Sequence, residues 1–106
     1  MKKQAPKHLS REAKLWWRRL IDEYGIDDNA GLLLVQTAME SFDRMRAAQA
    51  AIEADGATVK DRFDQPKAHP LLSVERDARA QMLAALKQLN LDLEPLRDGP
   101  GRPPGR

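Results

Sequence analysis

The side chains best suited to binding chemistry are basic residues crowded into the start of the chain. Between residues 1 and 19 one acid, Glu12, stands against seven cations: Lys2, Lys3, Lys7, Arg11, Lys14, Arg18 and Arg19. Arg11, Lys14 and Arg18 recur at steps of three and four, which places them on one face of a helix. Such a face can contact phosphates and release counterions, giving salt-dependent affinity with little sequence preference. The alternative is a solvated helix face that binds nothing.

A second group of cations lies in the last ten residues. Arg97, Arg102 and Arg106 stand there against Asp98, and the stretch 100–106 contains a Gly-Arg-Pro core. Extended arginine peptides of this kind can enter the minor groove of A·T-rich DNA. The same composition is typical of a disordered solubilising tail, and its prolines also suit a partner protein. All three interpretations stay open.

The sequence offers no set of residues suited to catalysis. It has no cysteine, and its two histidines, His8 and His69, belong to no set with metal-ligand spacing. His69 precedes a proline and is predicted to be a cap or a packed loop residue. The acid pairs at 22–23 and 27–28 fall at predicted helix ends, where capping explains them, and no glycine pattern resembles a phosphate-binding loop. We therefore expect no enzymatic activity, no metal and no cofactor.

Length and composition indicate one small domain with a thin core. The chain has 106 residues, five of them aromatic, and a formal net charge of +2. Between residues 20 and 56 eight acids stand against Arg44 and Arg46. A basic end on an acidic body is suited to binding a polyanion or to docking subunits head to tail. A thin core favours stabilisation by oligomer formation. No apolar run is long enough for a signal peptide or a membrane span, so we expect a cytosolic protein.

The first predicted helix runs from Arg11 to Tyr24 and would carry the basic residues. Ser10 is a good N-cap and Gly25 can end the helix. Its apolar side is expected to be Leu9, Ala13, Trp16, Trp17, Leu20, Ile21 and Tyr24. Adjacent helical residues diverge by about 100°, so one tryptophan is expected to anchor the core and the other to lie at a helix or subunit boundary. Base stacking on an exposed tryptophan is the alternative.

A longer helix is predicted between Asp28, a candidate N-cap, and Gly56, which can adopt the left-handed turn. At about 39 Å it exceeds the needs of a small three-helix core. Its apolar residues alternate at steps of three and four, the spacing of helices that pack along their length. We expect part of this stripe to form an oligomer interface: Val35, Ala38, Phe42, Met45 and Ile52. The alternative is that the whole stripe is intramolecular core.

A short β-hairpin or excursion loop is predicted next, from the β-prone stretch 57–60 and a candidate return strand at Arg62–Phe63. His69-Pro70 then opens the last helix, and Asn90 can end it in the left-handed conformation. The apolar face of this helix is expected to be Val74, Ala78, Met82, Ala85, Leu86 and Leu89.

The predicted fold is therefore all-α, with one long central helix in a helical hairpin, the excursion and a C-terminal helix. We divide the chain into a basic arm, residues 1–8, a helical core and oligomerisation domain, residues 9–93, and a Pro/Gly/Arg-rich tail, residues 94–106.

Several landmarks follow one another in a recognisable order: Pro6, Leu9-Ser10, Glu12-Ala13, Trp17, Asp28, Gly56, His69-Pro70, Leu89-Asn90-Leu91, Pro95 and Arg97. In this order they resemble the short small terminase subunits of tailed phages. That family more often has Leu-Gly-Leu where this chain has Leu89-Asn90-Leu91, and asparagine tolerates the same backbone turn. The resemblance covers roughly residues 6–97.

The resemblance implies a non-catalytic subunit that assembles into a homo-oligomeric ring and recognises the packaging start site on double-stranded viral DNA. It further implies that the ring presents this DNA to the large terminase subunit and modulates its ATPase and nuclease. No helix-turn-helix is apparent, so site recognition is expected to depend on the ring and on DNA shape. Two other functions stay open: a small dimeric DNA-binding regulator, and a structural adaptor of the phage particle.

Overall fold

The computed structural model describes residues 4–91 of the chain. In this part the elements follow in the order α1 (Arg11–Tyr24), α2 (Asn29–Asp55), β1 (Thr58–Lys60), β2 (Pro66–Ala68) and α3 (Leu71–Gln88). The structure confirms the predicted helical class with a small hairpin before the last helix. The proposed tail, residues 94–106, lies outside the described residues.

Both ends of α1 are formed by the residues that the sequence predicts. The Ser10 hydroxyl accepts a hydrogen bond from the Ala13 amide at 3.0 Å, so it satisfies a donor that the first turn leaves free. At the other end Gly25 adopts the left-handed conformation (φ 59°), and its amide donates to the Ile21 carbonyl. The bounds of α1 are those predicted.

The long helix α2 also begins as expected but ends differently. The Asp28 carboxylate accepts from the Gly31 amide at 2.9 Å. Gly31 itself must be small, since a Cβ there would lie 2.7 Å from the Ile26 Cγ2 atom. At the far end Gly56 has a positive φ of 87° with an extended ψ of 153°, so the predicted left-handed turn is corrected to an extended one that leads into β1.

α2 is the central element, and the other two helices pack on it. α3 runs antiparallel along it, as two hydrogen bonds show: Gln49 donates to Glu75 at 3.0 Å and Arg44 to Gln81 at 3.3 Å. α1 covers the first part of α2, where Trp17 is 4% exposed. The buried apolar residues form one core: Leu9, Ala13, Trp17, Ile21, Ile26, Val35, Ala38, Met39, Phe42, Met45, Ala78 and Ala85.

The predicted apolar face of α3 is confirmed at five positions and is wrong at its first. The five are Ala78, Met82, Ala85, Leu86 and Leu89, which are buried or half-buried. Val74 is 41% exposed, whereas the neighbouring Glu75 is buried. Glu75 accepts from Gln49 and forms an ion pair with Arg79, and the Gln49 hydrogen bond, followed by Arg79, holds the pKa of Glu75 below its usual value. A carboxylate with these partners is tolerated where a valine was expected.

The turn from α2 to α3 is closed by His69, which is buried as predicted. Its Nδ1 accepts from the Leu71 amide at 3.0 Å, and its Nε2 lies 3.0 Å from the Asp55 carboxylate. The imidazole therefore caps α3 and ties it to the end of α2. Asn90 adopts a positive φ of 56° after α3, as expected.

The predicted excursion is a two-stranded antiparallel hairpin in which Val59 pairs with Lys67. The return strand is β2, Pro66–Ala68, and not Arg62–Phe63. Arg62 and Phe63 instead form the tip, because Asp61 starts the turn early by accepting from the Phe63 amide at 2.8 Å. Among residues 4–91 no helix is both long and apolar enough to cross a membrane.

Candidate nucleic-acid interface

α1 carries a stripe of cations to one side of its buried residues. We call Arg11, Lys14 and Arg18 the basic face. Arg11 and Arg18 are exposed and Lys14 is half-buried. Lys7 is exposed just before the helix, and Asp22 follows Arg18 by one turn and ends the stripe. The structure thus places three of the predicted DNA-contact residues on one stripe of α1, with Lys7 exposed just before the helix.

The cations of the basic face make no ion pair with any residue between 4 and 91. Cations on the rest of the helical body more often have partners. Arg46 pairs with Glu12 at 3.3 Å, and Arg79 pairs with Glu75. An unpaired cation offers its full charge to a polyanion, whereas a paired one must first exchange its partner. The basic face is therefore open for phosphate contacts.

The two tryptophans divide as predicted. Trp17 is buried, and its indole Nε1 has no hydrogen-bond partner within the described part of the chain. Trp16 is 41% exposed, and the Arg19 guanidinium lies 5.2 Å from the centre of its ring. Arg19 is therefore held over an aromatic ring by a cation–π contact, about 100° around the helix from its neighbour Arg18.

The start of α1 is held against α2 by polar contacts that the sequence analysis missed. Asp43 accepts from the Ser10 amide at 2.8 Å and from the Ser10 hydroxyl. One turn earlier in α2, Glu40 lies 2.7 Å from the His8 Nε2 atom. Hydrogen bonds from Gln36 and then His8 hold the pKa of Glu40 below its usual value. The N-terminal segment from residue 5 therefore packs on the body, and these contacts orient the basic face.

Ser10→Ala is expected to cost about 1–2 kcal/mol of folding free energy, because it removes both the cap of α1 and the hydroxyl bond to Asp43. Chemical denaturation followed by circular dichroism measures it. Ser73→Ala is the matched control, since Ser73 is an exposed serine whose hydroxyl bond is 3.4 Å long. It should change the free energy by less than about 0.5 kcal/mol. Equal effects of the two variants would contradict the role given to Ser10.

The residues predicted for an oligomer interface lie mostly in the core of one chain. Val35, Ala38, Phe42 and Met45 are buried by the chain's own helices, and Ile52 is half-buried. This is the packing that the alternative, an intramolecular core, expects. Phe42, which is 7% exposed, also lines an open groove between α1 and α3.

The other predicted cations fall outside the described residues. These are Lys2 and Lys3 of the arm, and Arg97, Arg102 and Arg106 of the tail. Within residues 4–91 no three His, Cys, Asp or Glu side chains are grouped so that they could hold a metal ion.

Two apolar features were missed by the sequence analysis. One is Phe63, an aromatic side chain that is 70% exposed at the tip of the hairpin. The other is an open groove between α1 and α3, floored by Met39 and Phe42 of α2. A lone aromatic inside a polar turn was a signal for the first. The groove has no signal in the sequence, because residues of three helices build it.

Comparison with known proteins gives one match. A family model described as phage terminase, small subunit, matches residues 13–94, which is more than half of the chain. No curated protein and no solved structure matches.

Proposed function

The chain belongs to the phage terminase small-subunit family, and on this premise we propose that it is the DNA-recognising subunit of a packaging machine. It binds double-stranded viral DNA at the packaging start site in the host cytoplasm, without catalysing a reaction itself. It presents this DNA to the large terminase subunit and regulates the ATPase and nuclease of that partner.

The basic face is the observation that carries this proposal. Its three cations make no ion pair within residues 4–91 and stand on a helix whose orientation is set by Ser10, Asp43 and Trp17. A row of cations on one helix face can contact several backbone phosphates, and such contacts give affinity without reading bases. Lys7 and Arg19 are proposed to enlarge this surface. Lys2 and Lys3 are proposed to add to it, as cations immediately before it in the chain.

Assembly into a ring follows from the small size of this footprint. One subunit offers few phosphate contacts and would bind weakly at physiological salt. Linking several basic faces in one homo-oligomer multiplies the affinity without any new type of contact. The tail residues Arg97, Arg102 and Arg106 are proposed to contact either DNA or the large subunit.

A native mass spectrum, recorded with and without duplex DNA, tests the proposal. We expect a homo-oligomer larger than a dimer that gains the mass of one duplex. The same duplex is then titrated at several salt concentrations. The logarithm of the binding constant should fall steeply and linearly with the logarithm of the salt concentration. A dimer would favour the DNA-binding regulator. Absence of binding at low salt would favour the structural adaptor.

A further inference from the structure

The first observation is an apolar groove on the surface of the helical body. It has a volume of about 240 Å³ and presents no polar surface. Its walls come from all three helices: Trp16, Leu20, Met39, Phe42, Met82 and Leu86. Trp16 is 41% exposed there. Covering an open apolar groove of this kind with another apolar side chain removes apolar surface from water, which favours binding.

The second observation is the hairpin tip, which presents Phe63 to solvent on a fixed turn. The Asp61 carboxylate accepts from the amides of Phe63 at 2.8 Å and Gln65 at 3.0 Å, and the Asp64 amide donates to the Asp61 carbonyl. The Arg62 guanidinium lies 4.9 Å from the centre of the Phe63 ring. Because the turn is already ordered, docking the ring elsewhere loses little conformational entropy.

The tip and the groove of one chain do not meet. The groove is built around Phe42 in the middle of α2, and the hairpin follows the end of that helix at Asp55. Thirteen residues of helix separate these points, which is about 20 Å. Phe63 is accordingly exposed in the folded chain. Two complementary surfaces on different parts of one subunit can make a head-to-tail contact between copies. Such contacts form a ring when the rotation from each subunit to the next adds up to a full turn.

We propose that Phe63 of one subunit occupies the groove of the next copy of this chain. This inference rests on the assembly proposed above and names the surfaces that build it. A single aromatic side chain suits both the size and the apolar character of the groove. An aromatic anchor in a desolvated pocket is also the usual centre of a protein interface.

Charge gives the contact a direction. Glu23 follows Trp16 and Leu20 at steps of four and three, so it lies on the same stripe of α1 at the edge of the groove. Glu23 is exposed and has no ion pair with another residue of the range 4–91. Arg62 likewise has no carboxylate partner there, and its guanidinium lies over the Phe63 ring. Arg62 of one copy is therefore placed to pair with Glu23 of the next.

Sedimentation velocity of Phe63→Ala tests the contact. We expect subunit association at least about thirty-fold weaker, with an unchanged circular dichroism spectrum because Phe63 is exposed. Leu33→Ala is the matched control, since Leu33 is 62% exposed and lies outside both the tip and the groove. It should assemble as the wild type does. A Phe63→Ala protein with the wild-type mass would overturn this inference and leave the proposed ring intact.

A charge exchange gives a second, independent measurement. Arg62→Glu and Glu23→Arg should each weaken association, and the double variant should restore most of it. A wild-type monomer would overturn both this inference and the proposed ring. If Phe63→Ala keeps its mass but binds duplex DNA more weakly, the tip is a DNA contact and the inference is wrong.

Discussion

Phe42→Asp is expected to unfold the chain. Phe42 is 7% exposed beneath the Arg46 guanidinium, which already pairs with Glu12. The substitution removes the packing of the ring and buries a carboxylate in its place. The cost is expected to be about 4 kcal/mol or more, which approaches the whole stability of a small domain. Loss of the helical circular dichroism signal at room temperature, or a large fall in the denaturation midpoint, measures it.

Leu33→Asp is the matched control, because it places an aspartate at an apolar residue of the same helix that is 62% exposed and lies outside the groove. It should keep the helical signal and change the free energy of unfolding by no more than about 0.5 kcal/mol. If Phe42 served only a contact between subunits and had no part in the core, Phe42→Asp would give folded monomers. That outcome would show that the core packing of Phe42 is not the one in solution.

A triple replacement of the basic face by alanine, at Arg11, Lys14 and Arg18, is expected to lower affinity for duplex DNA at least about a hundredfold at moderate salt. Each lost phosphate contact reduces the slope of log K against log salt concentration by close to one. The slope should therefore become shallower by roughly three for every subunit that contacts DNA. The fold should persist, since none of these side chains is paired within residues 4–91. Fluorescence anisotropy across a salt series measures both quantities.

The control removes three cations from other surfaces, at Lys67, Arg76 and Lys87, so that the net charge changes equally. It should bind DNA within a few-fold of the wild type, with nearly the same salt slope. If both triple variants lose affinity equally, the affinity for DNA depends only on net charge, and the basic face is not the DNA-binding surface.

Local chemistry explains why the helix ends were predictable. Ser10 and Asp28 cap helices through bonds to amides three residues away, and Gly25 takes a backbone conformation that other residues avoid. His69 and Asn90 were predicted for the same kind of reason, since each acts on neighbours in the chain. The basic face was equally visible, because helical spacing alone puts its residues on one stripe.

The apolar stripe of α2 shows where such reasoning stops. Its spacing required a helix partner along most of its length but did not say whether that partner was in the same chain. The folded chain supplies its own partners, so Val35 and Met45 are core residues. In the same way Val74 and Glu75 exchanged their expected places, because Gln49 and Arg79 satisfy the buried carboxylate.

The order of residues thus specified the helices, their caps and the row of cations on α1, because each depends on spacing and contacts within a few positions of the chain. Tertiary packing alone decided which tryptophan is buried and where the return strand begins. It also decided that the three helices form an apolar groove, which residues 4–91 leave uncovered. Those outcomes depend on which distant side chains meet, and such meetings are set by the shape of the whole core.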